Sequence, residues 1–156
     1  MQERYLALRD QLRPVDYFPA SQAKRPPEER DQYRAAEVSE HVGGEVDGKA
    51  VGLDYRMVFV WSQAKARQEA ATRERHAAKV RAEFEAVQRN LGRYSLTTTE
   101  AIVRRLEAAK GKYPEGVLFT YQLRPARGGQ FHLSWGLDAA ALERWQALEE
   151  IGRAHV

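Results

Sequence analysis

The stretch from residue 62 to residue 111, SQAKARQEAATRERHAAKVRAEFEAVQRNLGRYSLTTTEAIVRRLEAAKG, decides the fold. Within it Ala66, Ala70, Arg73, Ala77, Val80, Phe84, Val87 and Leu91 recur at alternating spacings of three and four, the seam spacing of a helix that packs on another. Ser62 is a suitable N-cap and Gly92 a suitable stop, so the pattern predicts a helix over 63–91, about 43 Å long at about 1.5 Å per residue. The seam is small in its first half and large in its second. Thr97 and Glu100 have the spacing of a capping box. A second helix follows to Lys110, with Ile102, Leu106 and Ala109 on one face and Gly111 closing it. The loop between the two helices is short, so they should fold back as an antiparallel hairpin over 62–110, the large half of the seam meeting the second helix.

Strand signals flank this hairpin. Residues 53–61, LDYRMVFVW, alternate and are rich in β-branched and aromatic side chains. Residues 32–42, QYRAAEVSEHV, admit a strand or a helix. Gly43-Gly44 and Asp47-Gly48 mark a turn region between them, which reads as a hairpin with an irregular loop. Downstream, 117–123 and 130–135 read as two strands joined through Gly128-Gly129, and Asp138 caps a last helix carrying Leu142, Trp145 and Leu148. Residues 1–31 read as an irregular N-terminal segment. It comprises a short helix with Tyr5, Leu8 and Leu12 on one side, stopped by Pro14, and a loop over 14–30 with four prolines. The expected class is α+β: an antiparallel sheet of three or four strands, an inserted long antiparallel helical hairpin and a C-terminal helix, all within 32–150.

The chain has 156 residues, 43% hydrophobic and 30% charged, which suits one folded domain with a modest core. It has no cysteine, which removes disulfides and thiolate chemistry and fits a cytoplasmic location. No apolar run approaches the roughly 20 residues of a membrane span, so a membrane is not an expected partner. Charge is unevenly placed. Residues 1–61 hold 9 basic and 11 acidic side chains, 62–127 hold 14 and 7, and 128–156 hold 2 and 4. The middle therefore carries +7 between two segments of −2, and a cationic middle suits an anionic partner.

No phosphate loop, dinucleotide fingerprint or hydrolase motif occurs. His41, His76, His132 and His155 lack metal-ligand spacing, and Glu28, Glu29, Glu37, Glu40 and Glu45 read as solvated surface. No catalytic residue, metal ligand or bound cofactor is assigned. The long helix is more informative. At 100° per residue Arg75, Lys79, Arg89 and Arg93 fall opposite the seam, and Arg75/Lys79 and Arg89/Arg93 are like-charge pairs at i, i+4. A polyanion would relieve that repulsion, so these four are the candidate DNA-phosphate contacts. The plain alternative is a solvated basic face. Arg73, within the seam, should snorkel past its neighbours. Tyr55, Phe59, Trp61, Phe119, Tyr121, Phe131 and Trp135 alternate along strands, as packing aromatics do.

The last six residues, IGRAHV, have a separate reading. The codons ATC-GGA-AGA-GCA-CAC-GTC encode them, and these open a widely used short-read sequencing adapter whose next triplet is a stop. On that reading residues 151–156 are translated adapter and the gene continues beyond residue 150. The alternative is an ordinary helix end capped by Gly152.

Three stretches resemble the region between catalytic motifs in bacterial DDE-type insertion-sequence transposases, in the class whose core carries an insertion. They are YRMVFVWS at 55–62 running into Arg73-Glu74-Arg75, GRYSLTTTEAIVRR at 92–105, and FHLSWGLDAAALERWQAL at 131–148. The resemblance spans about residues 30–150. It implies a ribonuclease H-like parent enzyme in which three carboxylates hold two Mg²⁺ ions for in-line attack on a phosphodiester. None of those carboxylates falls on this chain, and Asp47 and Asp54 lack the matching context. The implied object is an internal, catalytically silent transposase fragment, with Mg²⁺ belonging to the parent. Its insertion would contact transposon-end DNA or a second subunit in a homodimer. The rival reading is an interaction module whose helical hairpin is a dimerisation arm and whose basic face only solubilises it.

Overall fold

A computed structural model describes residues 2–149. The adapter reading concerns residues that lie outside the described ones, as do Met1, Glu150 and the Tyr5 side chain. The elements in order are α1 (Gln2–Leu8), β1 (Arg13–Val15), β2 (Tyr33–Val46), β3 (Lys49–Ser62), α2 (Gln63–Arg89), α3 (Thr99–Gly111), β4 (Phe119–Pro125), β5 (Phe131–Leu137) and α4 (Ala139–Glu149). The class is α+β. The strands form two antiparallel sheets, β1-β2-β3 and β4-β5, so the sheet does not continue across the helical hairpin. The chain divides into two compact units, Ala70–Gln146 and the residues on either side of it.

In the first unit β2 and β3 form a regular ribbon, paired without a break from Tyr33 opposite Ser62 to Val46 opposite Lys49. The turn is two residues, Asp47 at φ 53° and Gly48 at φ 75°. Both are left-handed, as the tight turn matching strand twist requires. The irregular loop expected around Gly43-Gly44 is therefore corrected. Those glycines pair with Gly52 and Val51 inside the ladder, and the Asp-Gly dipeptide sets the register. Segment 32–42, open between strand and helix, lies in this ribbon. At its base Ala36 and Phe59 are directly opposite and buried. β1 adds a short edge strand, with Pro14 opposite Arg34, the edge position a proline tolerates.

Ser62 caps α2 as its position suggested: its Oγ accepts the Lys65 N–H at 3.2 Å. Asp31 completes the cap, accepting the Ala64 N–H at 2.7 Å on Oδ1 and the Ser62 hydroxyl at 2.6 Å on Oδ2. Two of the otherwise orphaned donors of the first turn are satisfied in this way.

The second unit holds the main core. Val80, Phe84 and Val87 of α2, Ile102, Leu106 and Ala109 of α3, Leu118, Phe119 of β4 and Leu133 of β5 form one buried cluster. Phe84 lies 5.4–6.0 Å from the Trp135, Phe119 and Tyr121 rings. Leu142 and Trp145 of α4 pack on the same cluster. The helices are antiparallel: Glu83 meets Arg105 in mid-α3, and His76, two turns earlier, meets Tyr113 beyond the end of α3. The result is two helices covering one face of a β-hairpin.

Both helix ends adjacent to the loop differ from expectation. α2 stops at Arg89, two residues short of Leu91, because Asn90 bonds its side chain to the Ala86 carbonyl at 3.0 Å and its N–H to the Val87 carbonyl. α3 is capped by Thr98, whose Oγ1 accepts the Ala101 N–H at 3.2 Å, so the Thr97–Glu100 capping box is corrected by one residue. Three successive threonines offer alternative caps. Glu100 remains in the first turn, where its charge suits the helix dipole.

Candidate functional site

The four candidate cations are all exposed. None pairs with a carboxylate among the described residues, although their neighbours do: Arg105 and Lys112 both reach Glu83, at 3.0 and 3.4 Å, and Lys65 reaches Glu69 at 3.3 Å. Glu85, one turn before Arg89, closes no ion pair with it. Along α2, Glu83 neutralises cations on the α3 side and Glu69 neutralises Lys65 near the helix start, while the four candidates have no such partner.

The four do not share one helical stripe. Arg75 and Arg89 lie within about 40° of one another around α2, at 100° per residue. Lys79 sits on the flank nearer α3, its Nζ 5.5 Å from the Tyr113 ring. Arg93 is beyond the helix end, so the periodicity that grouped it with the rest does not reach it. The structure thus places Arg75, Lys79 and Arg89 on α2 and Arg93 in the loop that follows it. Lys79 and Arg89 are about 15 Å apart along the axis at about 1.5 Å per residue. That compares with the roughly 12 Å width of a B-DNA major groove, across which phosphate rows face each other.

Next to Arg93 in the chain is a residue that no sequence motif singles out. Tyr94 is 85% exposed and holds φ at 52°. A bulky side chain in the left-handed region is uncommon and strained. Its ring therefore stands in solvent next to Arg93. The only advance signal was its place between two predicted helices.

A second polar cluster closes the other end of the helix pair. Glu115 is the one buried charged residue among those described, 6% exposed, and its Oε2 lies 2.8 Å from His76 Nδ1. His76 stacks on Tyr113 with centroids 4.5 Å apart. The next residue, Gly116, explains the burial. A Cβ there would stand 1.8 Å from the Lys110 carbonyl oxygen, so only glycine lets the turn Pro114–Leu118 press against the end of α3. His76 partners a carboxylate that would otherwise be buried without one, which is costly. The two residues are 39 apart in sequence, beyond the reach of any local pattern.

Among the described residues no group of three His, Cys, Asp or Glu is placed to hold a metal ion. No described helix is long and apolar enough to cross a membrane. No known family model, curated protein or solved structure matches the chain.

Proposed function

We propose that the chain is part of a DNA transposase of the insertion-sequence type and that its helical hairpin contacts the phosphate backbone of transposon-end DNA, in the cytoplasm. The observation that carries this reading is the exposure of four cations that no carboxylate neutralises. Arg75, Lys79, Arg89 and Arg93 are exposed and unneutralised, whereas Arg105 and Lys112 are held by Glu83. Phosphates would supply the missing counter-charge and release condensed ions. The residues 70–146 hold 13 basic and 8 acidic side chains, a net of +5 that favours approach to a polyanion. Tyr94 offers a π-face beside Arg93 for contact with a sugar or base. The chain supplies binding in this account; the Mg²⁺-dependent chemistry belongs to the rest of the parent enzyme.

The expected behaviour is weak, sequence-independent and salt-sensitive binding of duplex DNA. Filter binding or fluorescence anisotropy at low salt tests it. Changing all four cations to Gln should abolish most retention and reduce the slope of log K against log salt by about 3 to 4. Absence of duplex binding by the unaltered chain at low salt would refute the reading, and so would a quadruple variant with an unchanged salt slope.

The helical hairpin itself has little left with which to dimerise. Val80, Phe84, Val87, Ile102 and Leu106, the residues such an arm would need, are already buried within the unit.

A further inference from the structure

The loop between β1 and β2, whose prolines predict an irregular path, is pinned in the structure. Arg30 Nε donates to the Arg25 carbonyl at 2.9 Å and its Nη2 to the Ala23 carbonyl at 3.2 Å. The same guanidinium lies 4.1 Å from the centre of the Phe18 ring. The Gln22 side chain accepts the Asp31 N–H at 2.8 Å. Against this loop and the base of β2 lies a cavity of about 250 Å³, lined by Pro14, Asp16, Tyr17, Phe18, Pro27 and Tyr33 among others. All of these residues belong to the first unit. Tyr17 and Phe18 are 57 and 38% exposed, and neither packs in the buried core.

We propose that this cavity is a docking groove for a proline-rich peptide that carries a basic residue and binds as a polyproline II helix. Three features select that partner. The first is the lining. Aromatic-lined grooves take polyproline II segments, whose preformed backbone loses little entropy on binding. The Tyr17 and Tyr33 rings stand at 80° to each other with centroids 5.2 Å apart, giving the groove two aromatic walls. The Tyr17 hydroxyl forms no hydrogen bond among the described residues, so it can donate to a ligand carbonyl.

The second feature is the neighbouring strand edge. β1 is three residues long, Pro14 has no N–H to donate, and the Tyr17 N–H is given to the Val15 carbonyl at 2.9 Å. A partner strand finds no ladder there, so an extended ligand must bind without one. An amphipathic helix, about 10–12 Å across with its side chains, is too wide for a cavity of this volume.

The third feature is charge. Four charged residues line the cavity, and three are engaged. Arg30 holds the loop carbonyls and Phe18, Arg34 lies 5.1 Å over Trp61, and Asp31 caps α2. Asp16 alone is exposed with no side-chain partner among the described residues. It is placed to meet an arginine or lysine flanking the prolines.

The proposal is independent of the DNA reading and is tested without DNA. The full chain is titrated against labelled octaproline ended by two arginines, followed by fluorescence anisotropy. The expected dissociation constant is on the order of tens to hundreds of micromolar. Octaproline ended by two glutamates, and an alternating glycine–serine peptide with the same arginines, should each bind at least about fivefold more weakly. Tyr17→Ala should weaken binding of the arginine-ended octaproline at least about tenfold, with unchanged circular dichroism. Because Tyr17 also touches Tyr33, Asp16→Lys supplies a second readout that keeps every aromatic ring in place. It should reverse the order of the two octaprolines. No binding of the arginine-ended octaproline up to about 1 mM overturns the proposal. Equal binding of the glycine–serine peptide does the same, as does a folded Tyr17→Ala variant that binds undiminished. An Asp16→Lys variant that still prefers the arginine-ended peptide overturns the assignment of Asp16 to the basic residue.

Discussion

The chain contains two β-hairpins whose sequences both read as paired strands, and their surroundings make them opposites. β2–β3 is twice as long as β4–β5, 14 residues a strand against 7, and closes on a near-ideal turn. Yet beyond the Glu40–Tyr55 pair its side chains are open on both faces. β4–β5 is short and passes through an exposed turn, but Phe119 and Leu133 are buried under the helix pair. The lesson is that ladder length does not stabilise a hairpin by itself. A two-stranded ribbon gains stability from what covers one of its faces.

That contrast can be broken most sharply by truncating one side chain in each region. Phe84 is fully buried among Phe119, Tyr121 and Trp135, so Phe84→Ala should cost about 3–5 kcal/mol. Leu53→Ala, on the open ribbon, should change stability by no more than about 0.5 kcal/mol. Urea unfolding below the concentration of any self-association reads both. Similar losses at the two positions would mean the ribbon is packed in solution in a way its exposure denies.

The next effect is backbone-borne. Gly116→Ala forces a Cβ onto the Lys110 carbonyl, and both partners are main chain, so neither can swing aside. The turn must move, and with it Glu115 and its bond to His76. The expected loss is at least about 2 kcal/mol, comparable to other severe packing defects. Gly52→Ala is the matching change in the ribbon. There the new Cβ would meet the His41 ring, 2.5 Å away at its nearest atom, an exposed side chain able to rotate. It should cost well under half as much. Thermal unfolding of the two variants compares them directly.

These contrasts also separate what the sequence discloses from what it conceals. The helical seam was legible because Val80, Phe84, Val87, Ile102 and Leu106 repeat at helical spacing and each needs cover. The α+β class followed from the strand-like runs on either side. The split into two sheets was not legible, since nothing in residues 53–61 or 117–123 states which strand each pairs with. The Asp31 contribution to the α2 cap and the Glu115–His76 pair were hidden for the same reason: each joins residues more than 30 apart. Of the four cations, Arg75, Lys79 and Arg89 were readable as exposed from helical phase alone. Arg93 was exposed for another reason, since Asn90 ends the helix before the phase argument reaches it.

The finest comparison is between two tyrosine–carboxylate hydrogen bonds, one in each region. In the ribbon Tyr55 donates to Glu40. In the second unit Tyr121 donates to Glu107 at 2.6 Å. The ribbon bond lowers the Glu40 pKa, through Tyr55 foremost and then Arg4. A carboxylate whose folded pKa is depressed contributes stability that is present above its unfolded value and lost as pH falls through the folded one. Glu40 therefore acts on the acid side only. At Tyr121 burial first, and Glu107 second, push the phenol up to about 12. A group raised in the folded state contributes stability that is complete below its unfolded value, about 10 for tyrosine, and lost as pH rises through the folded value. Tyr121→Phe should therefore flatten the decline in stability between about pH 10 and 12 relative to the unaltered chain. Tyr55→Phe should flatten the acid limb, where loss of its bond lets the Glu40 carboxyl rise towards its ordinary value. Chemical denaturation repeated across pH separates the two, and a Tyr121→Phe profile parallel to that of the unaltered chain above pH ~10 would show that the phenol is no better shielded than in the unfolded chain.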